Sequence, residues 1–121
     1  MRLSLLVLAG SALGGLARFW LGAWMVVAAG PDFPWGTLLI NVAGSFVIGL
    51  AATAIPVADD SARAFVMVGL CGGFTTFSAY SLQSLELLQA DRMPAALAYM
   101  GVSVAACLAA TWLGWAAGRM A

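Results

Sequence analysis

Charged residues occur at only ten places in this chain: Arg2, Arg18, Asp32, Asp59, Asp60, Arg63, Glu86, Asp91, Arg92 and Arg119. Between them run four apolar stretches, each able to supply the ~20 residues with which an α-helix crosses the bilayer core. The spacing predicts membrane-spanning helices near residues 3–29, 34–55, 62–89 and 94–117. Short connections separate them: "GPDFP" from Gly30, "PVADDS" from Pro56 and "ADRMP" from Ala90. Each carries proline or acidic residues suited to a helix end at the membrane interface. With 64% hydrophobic and 8% charged residues, the chain cannot cover the surface of a soluble domain. The expectation is an all-α integral membrane protein, one four-helix domain over residues 1–121. The first stretch continues to Ala29, far beyond the ~7–15 residues of a signal-peptide core, so it reads as a retained span.

The same inventory excludes several functions. A net charge of +0 provides no basic face for nucleic acid. There is no histidine, and Cys71 and Cys107 fall inside spans, where thiols act as small apolar packers. The spans hold one arginine and no carboxylate at mid-depth, which leaves no acid–base pair for an enzyme. Basic residues give only a weak topological instruction. Arg2, Arg63 and Arg119 fall on the side of the termini, against Arg92 and, if it snorkels that way, Arg18. A single orientation with cytoplasmic termini and insertion of copies in both directions are both consistent with that bias. Small-residue pairs, Gly10/Gly14, Gly44/Gly49 and Gly114/Gly118, permit close helix contact, as simple packing or as tight association of copies, and an oligomer is expected. A bundle of four such helices is expected to pack solid, so a pathway would need a second copy.

Polar residues inside the spans carry the functional signal. Asn41 opens "NVAGSFVIG", with Ser45 one turn further on the same face. It either glues helices together or lines a path. In "CGGFTTFSAYS", Gly72 and Gly73 weaken the third helix, and Thr75 and Thr76 can bond their own backbone instead of continuing it. Non-helical backbone at membrane depth survives only when buried in protein or lining a wet cavity. Its carbonyls suit a small cation such as Na⁺. Phe77, Ser81 and Ser84 share a helical face with Tyr80 beside it, and Tyr99 and Ser103 lie one turn apart in the fourth span. Tyr99 reads equally as an interfacial anchor. Hydroxyl and amide donors without a carboxylate ring favour an anion path, and ring edges carry the positive part of the aromatic quadrupole. Arg18 either draws anions to an entrance or pairs with carbonyls and fixes the fold.

The blocks "GGLARF" at Gly14, "INVAGSFVIG" at Ile40 and "GLCGGFTTFSAYS" at Gly69 resemble the Fluc (CrcB-type) small fluoride channels, in order along essentially the whole chain. The resemblance implies a dual-topology, antiparallel homodimer with a third helix broken mid-membrane and two fluoride pores along the subunit interface. It implies a structural Na⁺ on the two-fold axis, held by carbonyls at positions that match Gly72 and Thr75. Asn41 matches the pore asparagine, Phe77 the first pore phenylalanine, and Ser78, Tyr99 and Ser103 the polar track. Arg18 matches the arginine of the first-span motif. The implied partners are fluoride ion, membrane lipid and a second copy, in a bacterial-type inner membrane. The sequence departs from the family in three places: Tyr80 replaces the second phenylalanine, Ala79 a common threonine and Gln83 a common vestibule glutamate. Two competing functions are a small proton-coupled multidrug-type exporter, which needs an embedded carboxylate, and a non-conducting structural subunit whose polar residues only glue helices.

Overall fold

A computed structural model describes all residues, 1–121. The chain is all-helical: α1 (Arg2–Ala29), α2 (Trp35–Ala54), the short α3 (Asp60–Arg63), a π-wound segment (Ala64–Cys71), α4 (Gly72–Phe74), α5 (Phe77–Gln89) and α6 (Met93–Met120). The run from α3 to α5 forms one span, Asp60–Gln89, so four helical spans are long and apolar enough to cross a membrane. Their ends follow local chemistry. Gly30 closes α1 at φ 82, a conformation that costs glycine little, and its N–H still reaches the Val26 carbonyl. The Asp59 carboxylate caps α3 by accepting from the Ala62 N–H at 2.9 Å. Arg63 donates from Nη1 to the Ile55 carbonyl at 3.2 Å and so ties the end of α2 to the start of the third span. Pro94 occupies the first turn of α6, where no N–H is missed. α6 runs on to Met120, past the expected residue 117, with the Arg119 guanidinium 4.6 Å from the Trp115 ring centroid in its last turns.

Two helix pairings dominate: α2 against α6, and α1 against the π-wound segment. Both depend on glycine. A Cβ on Gly114 would collide with the Phe46 carbonyl, and one on Gly14 with the Leu70 carbonyl. Of the two uses open to the Gly10/Gly14 and Gly114/Gly118 pairs, packing within the chain is the one observed. Both pairs are occupied by neighbouring helices of the same chain, because backbones in hydrocarbon gain dispersion contact only by this close approach. Gly44 sits against the Thr75 side chain, also within the chain.

The expected solid bundle is not found. Only 20 of 121 residues are buried, so the outer faces must meet lipid or protein. A compact core of Leu38, Leu87, Ala96 and Tyr99 closes one end, with Phe33, Val42 and Tyr80 packed against it. Beside it, α2, the third span and α6 leave a groove open at their middle. The exposed Leu8, Trp20, Trp24, Trp112 and Leu113 give α1 and α6 faces that suit acyl chains.

Candidate functional site

The backbone leaves helical geometry at Thr75 (φ −79, ψ 156) and Thr76 (φ −149, ψ 111). Three groups hold these residues. Thr75 turns its hydroxyl back to the Cys71 carbonyl at 2.8 Å. Thr76 caps α5, its Oγ1 accepting from the Ala79 N–H at 3.2 Å. Asn41, from α2, grips Thr76 twice: its Nδ2 donates to the Thr76 carbonyl at 3.1 Å, and its Oδ1 accepts from the Thr76 N–H at 2.8 Å. One amide hydrogen of Asn41 is left for another acceptor. On the other side, Arg18 donates from Nε to the Gly73 carbonyl at 3.1 Å. The Gly72 and Thr75 carbonyls accept none of the hydrogen bonds around this segment.

The open groove, about 470 Å³, passes directly over these atoms. Asn41, Gly72, Thr75, Phe77, Tyr80 and Ser103 line it together, although they come from α2, the third span and α6. Phe77 is 76% exposed, so its ring has almost no packing within its own chain. It lies 5.3 Å from the Tyr80 ring, which lies 5.4 Å from the Tyr99 ring. The Tyr80 hydroxyl is turned away and donates to the Met100 carbonyl at 3.2 Å, leaving its ring to face the groove. Ser103 Oγ is buried without any hydrogen-bond partner, an unmet polar atom at the groove wall.

The other expected residues lie off the groove. Tyr99 has no exposed surface and sits behind the wall, its hydroxyl donating to Gln83 Oε1 at 2.8 Å, so it is not an interfacial anchor. Ser78 is exposed but does not line the groove, and its Oγ lies 3.3 Å from Thr76 Oγ1. Arg18 lies outside the groove, committed to the Gly73 carbonyl. Among the lining residues, Thr111 was not singled out in the sequence and Cys107 was read there only as an apolar packer. They continue the series Tyr99, Ser103 at steps of four, a spacing that places all four on one face of α6. Thr111 Oγ1 donates to the Cys107 carbonyl at 2.9 Å.

Residues 5–115 match the family model described as CrcB-like protein, Camphor Resistance (CrcB). Three relatives are each named fluoride-specific ion channel FluC. The protein of Methylocella silvestris is 51% identical over 113 residues, covering 89% of this chain and 86% of its own. That of Paramagnetospirillum magneticum is 52% identical over 115 residues, covering 90% and 89%. That of Gloeobacter violaceus is 46% identical over 121 residues, covering 98% and 97%.

Proposed function

Because this chain belongs to the CrcB-like protein family, we propose that it is a fluoride-specific channel giving passive F⁻ export. It is a multi-pass protein of the bacterial inner membrane. Hydrogen fluoride crosses membranes neutral in acid surroundings and dissociates inside, so the trapped anion needs only a selective leak to leave down its gradient. The single observation that carries the reading is the groove itself. It brings together the free amide hydrogen of Asn41, the unpartnered Ser103 hydroxyl and the rings of Phe77 and Tyr80, with no carboxylate among its lining residues. Neutral donors and ring edges replace water around a small anion weakly and serially, as conduction requires. A proton-coupled exporter would need an embedded carboxylate in that place.

The functional unit is an antiparallel homodimer of dual topology, with two pores along its interface and the third helix broken at mid-membrane. The laterally open groove and the unpacked Phe77 ring support this reading, since each gains a second wall only from another copy. A structural Na⁺ fits the same arrangement. The Gly72 and Thr75 carbonyls are free to bind it, and two oxygens per chain are too few to replace a hydration shell without a partner's pair. When bound, Na⁺ supplies the fixed positive charge that holds those carbonyls together. Arg18 keeps the Gly73 carbonyl out of that set and so fixes which oxygens remain.

Efflux from liposomes holding only this protein tests the channel reading. Fluoride is expected to leave passively and far faster than chloride, and Phe77→Ile is expected to stop or sharply slow it. Equal or absent efflux of the two anions from wild-type liposomes would reject the channel.

A further inference from the structure

Five aromatic rings form an unbroken chain through the molecule, and two of them have no role in the site described so far. Phe77, Tyr80 and Tyr99 are the first three. Tyr99 then meets Phe33 edge-to-face, with centroids 5.5 Å apart and planes at 88°, and Phe33 meets Trp35 at 4.7 Å. Phe77 and Tyr80 line the mid-depth groove. Phe33 and Trp35 line a second cavity of about 520 Å³ at the α1–α2 connection, together with Thr37, Gln83, Glu86 and Arg92. Tyr99, wholly buried, stands between the two spaces with its hydroxyl on Gln83. Tyr99 thus touches a ring that lines each space, Tyr80 of the groove and Phe33 of the end cavity, and its hydroxyl reaches Gln83 of that cavity.

Phe33 is held against Tyr99 from two sides. Pro34 (φ −79, ψ 60) centres an inverse γ-turn in which the Trp35 N–H donates to the Phe33 carbonyl at 2.8 Å. The proline ring locks φ, so the turn keeps the Phe33 and Trp35 rings together. Arg92, from the connection before α6, donates from Nη1 to the Asp32 carbonyl and ties down the residue just before Phe33. A connection of five residues needs none of this merely to join two helices. Its result is one ring edge fixed on Tyr99.

We propose that Phe33 is a positioning residue for the ion route. By holding the Tyr99 ring it keeps the Tyr99 hydroxyl on Gln83, and so fixes the Gln83 side chain, whose amide lines the end cavity that an anion enters. The proposal rests on the fluoride-channel reading above, and it makes Phe33 act through Tyr99 rather than on the ion.

A double-mutant cycle on fluoride efflux tests it, using wild type, Phe33→Leu, Tyr99→Phe and the double variant in liposomes. Leucine keeps apolar bulk and removes the ring. Each single variant is expected to slow efflux roughly 3- to 10-fold, the scale of one misaligned neutral hydrogen bond. The double variant is expected to be no slower than the slower single, and Phe33→Tyr, which keeps the ring, to retain most of the wild-type rate. Should Phe33→Leu fail to fold, Phe33→Met takes its place in the same cycle. Losses that multiply in the double variant, or wild-type efflux in Phe33→Leu, would overturn the proposal and leave Phe33 as core packing alone. Absence of fluoride efflux in the wild type would instead overturn the channel reading, and this proposal with it.

Discussion

Asn41 and Ser103 reach the groove in opposite hydrogen-bonding states, and this makes them separable by experiment. Asn41 satisfies both backbone groups of Thr76, so Asn41→Ala leaves an N–H and a carbonyl unmet. At about 1–3 kcal/mol for each buried group stranded, the variant is expected to unfold at markedly lower temperature in detergent, and to lose fluoride flux with it. Ser103 is the converse. Its hydroxyl is already buried without a partner, so Ser103→Ala removes an unmet polar atom. Stability, read by thermal unfolding, is expected to be unchanged or raised by up to ~1 kcal/mol, while fluoride efflux slows. A fall in both stability and flux would show that Ser103 has a structural partner instead of a place on the route.

Between helices, the decisive contacts are made by backbone rather than by side chains. Gly114 lets α6 lie directly on the Phe46 carbonyl of α2, and neither helix can yield locally to a methyl group there. Gly114→Ala is expected to cost about 1–3 kcal/mol or more of stability, read as a lower unfolding temperature in detergent. The groove residues would suffer as well, because Asn41 stands on α2 and Ser103 on α6, and separation of those helices moves the two apart. α1 plays the matching part on the other side. Gly14 seats it on the Leu70 carbonyl, and the same seating brings Arg18 to the Gly73 carbonyl one turn later. Helix contacts and site geometry are thus one arrangement.

For the molecule as a whole, the exposed apolar surface divides between faces that meet lipid and a face that meets protein. Gly72 and Gly101 are both exposed, and a Cβ on either meets nothing within 4 Å in this chain. Gly72 borders the groove and Gly101 does not. Gly72→Ala is expected to weaken the proposed dimer, measured by subunit exchange in detergent, while Gly101→Ala leaves it intact. Equal behaviour of the two would place the partner elsewhere. Dual topology has its own test. A single introduced cysteine at one exposed position is expected to label from both sides of the membrane, and one-sided labelling would defeat it.

Four membrane-length helices were legible in the sequence because hydrocarbon selects them residue by residue: length and apolarity suffice, whatever the neighbours are. The α6 polar stripe was legible in principle too, since Tyr99, Ser103, Cys107 and Thr111 recur every fourth residue. Helix rotation and crossing were not. They decided that Asn41 grips Thr76, 35 residues away, and that Arg18 reaches Gly73, 55 residues away. They also turned the glycine pairs inward to the same chain and placed Phe33, from a connection that read only as a turn, against a buried tyrosine. Such pairings depend on where two helices touch along their whole length, and no local pattern carries that information.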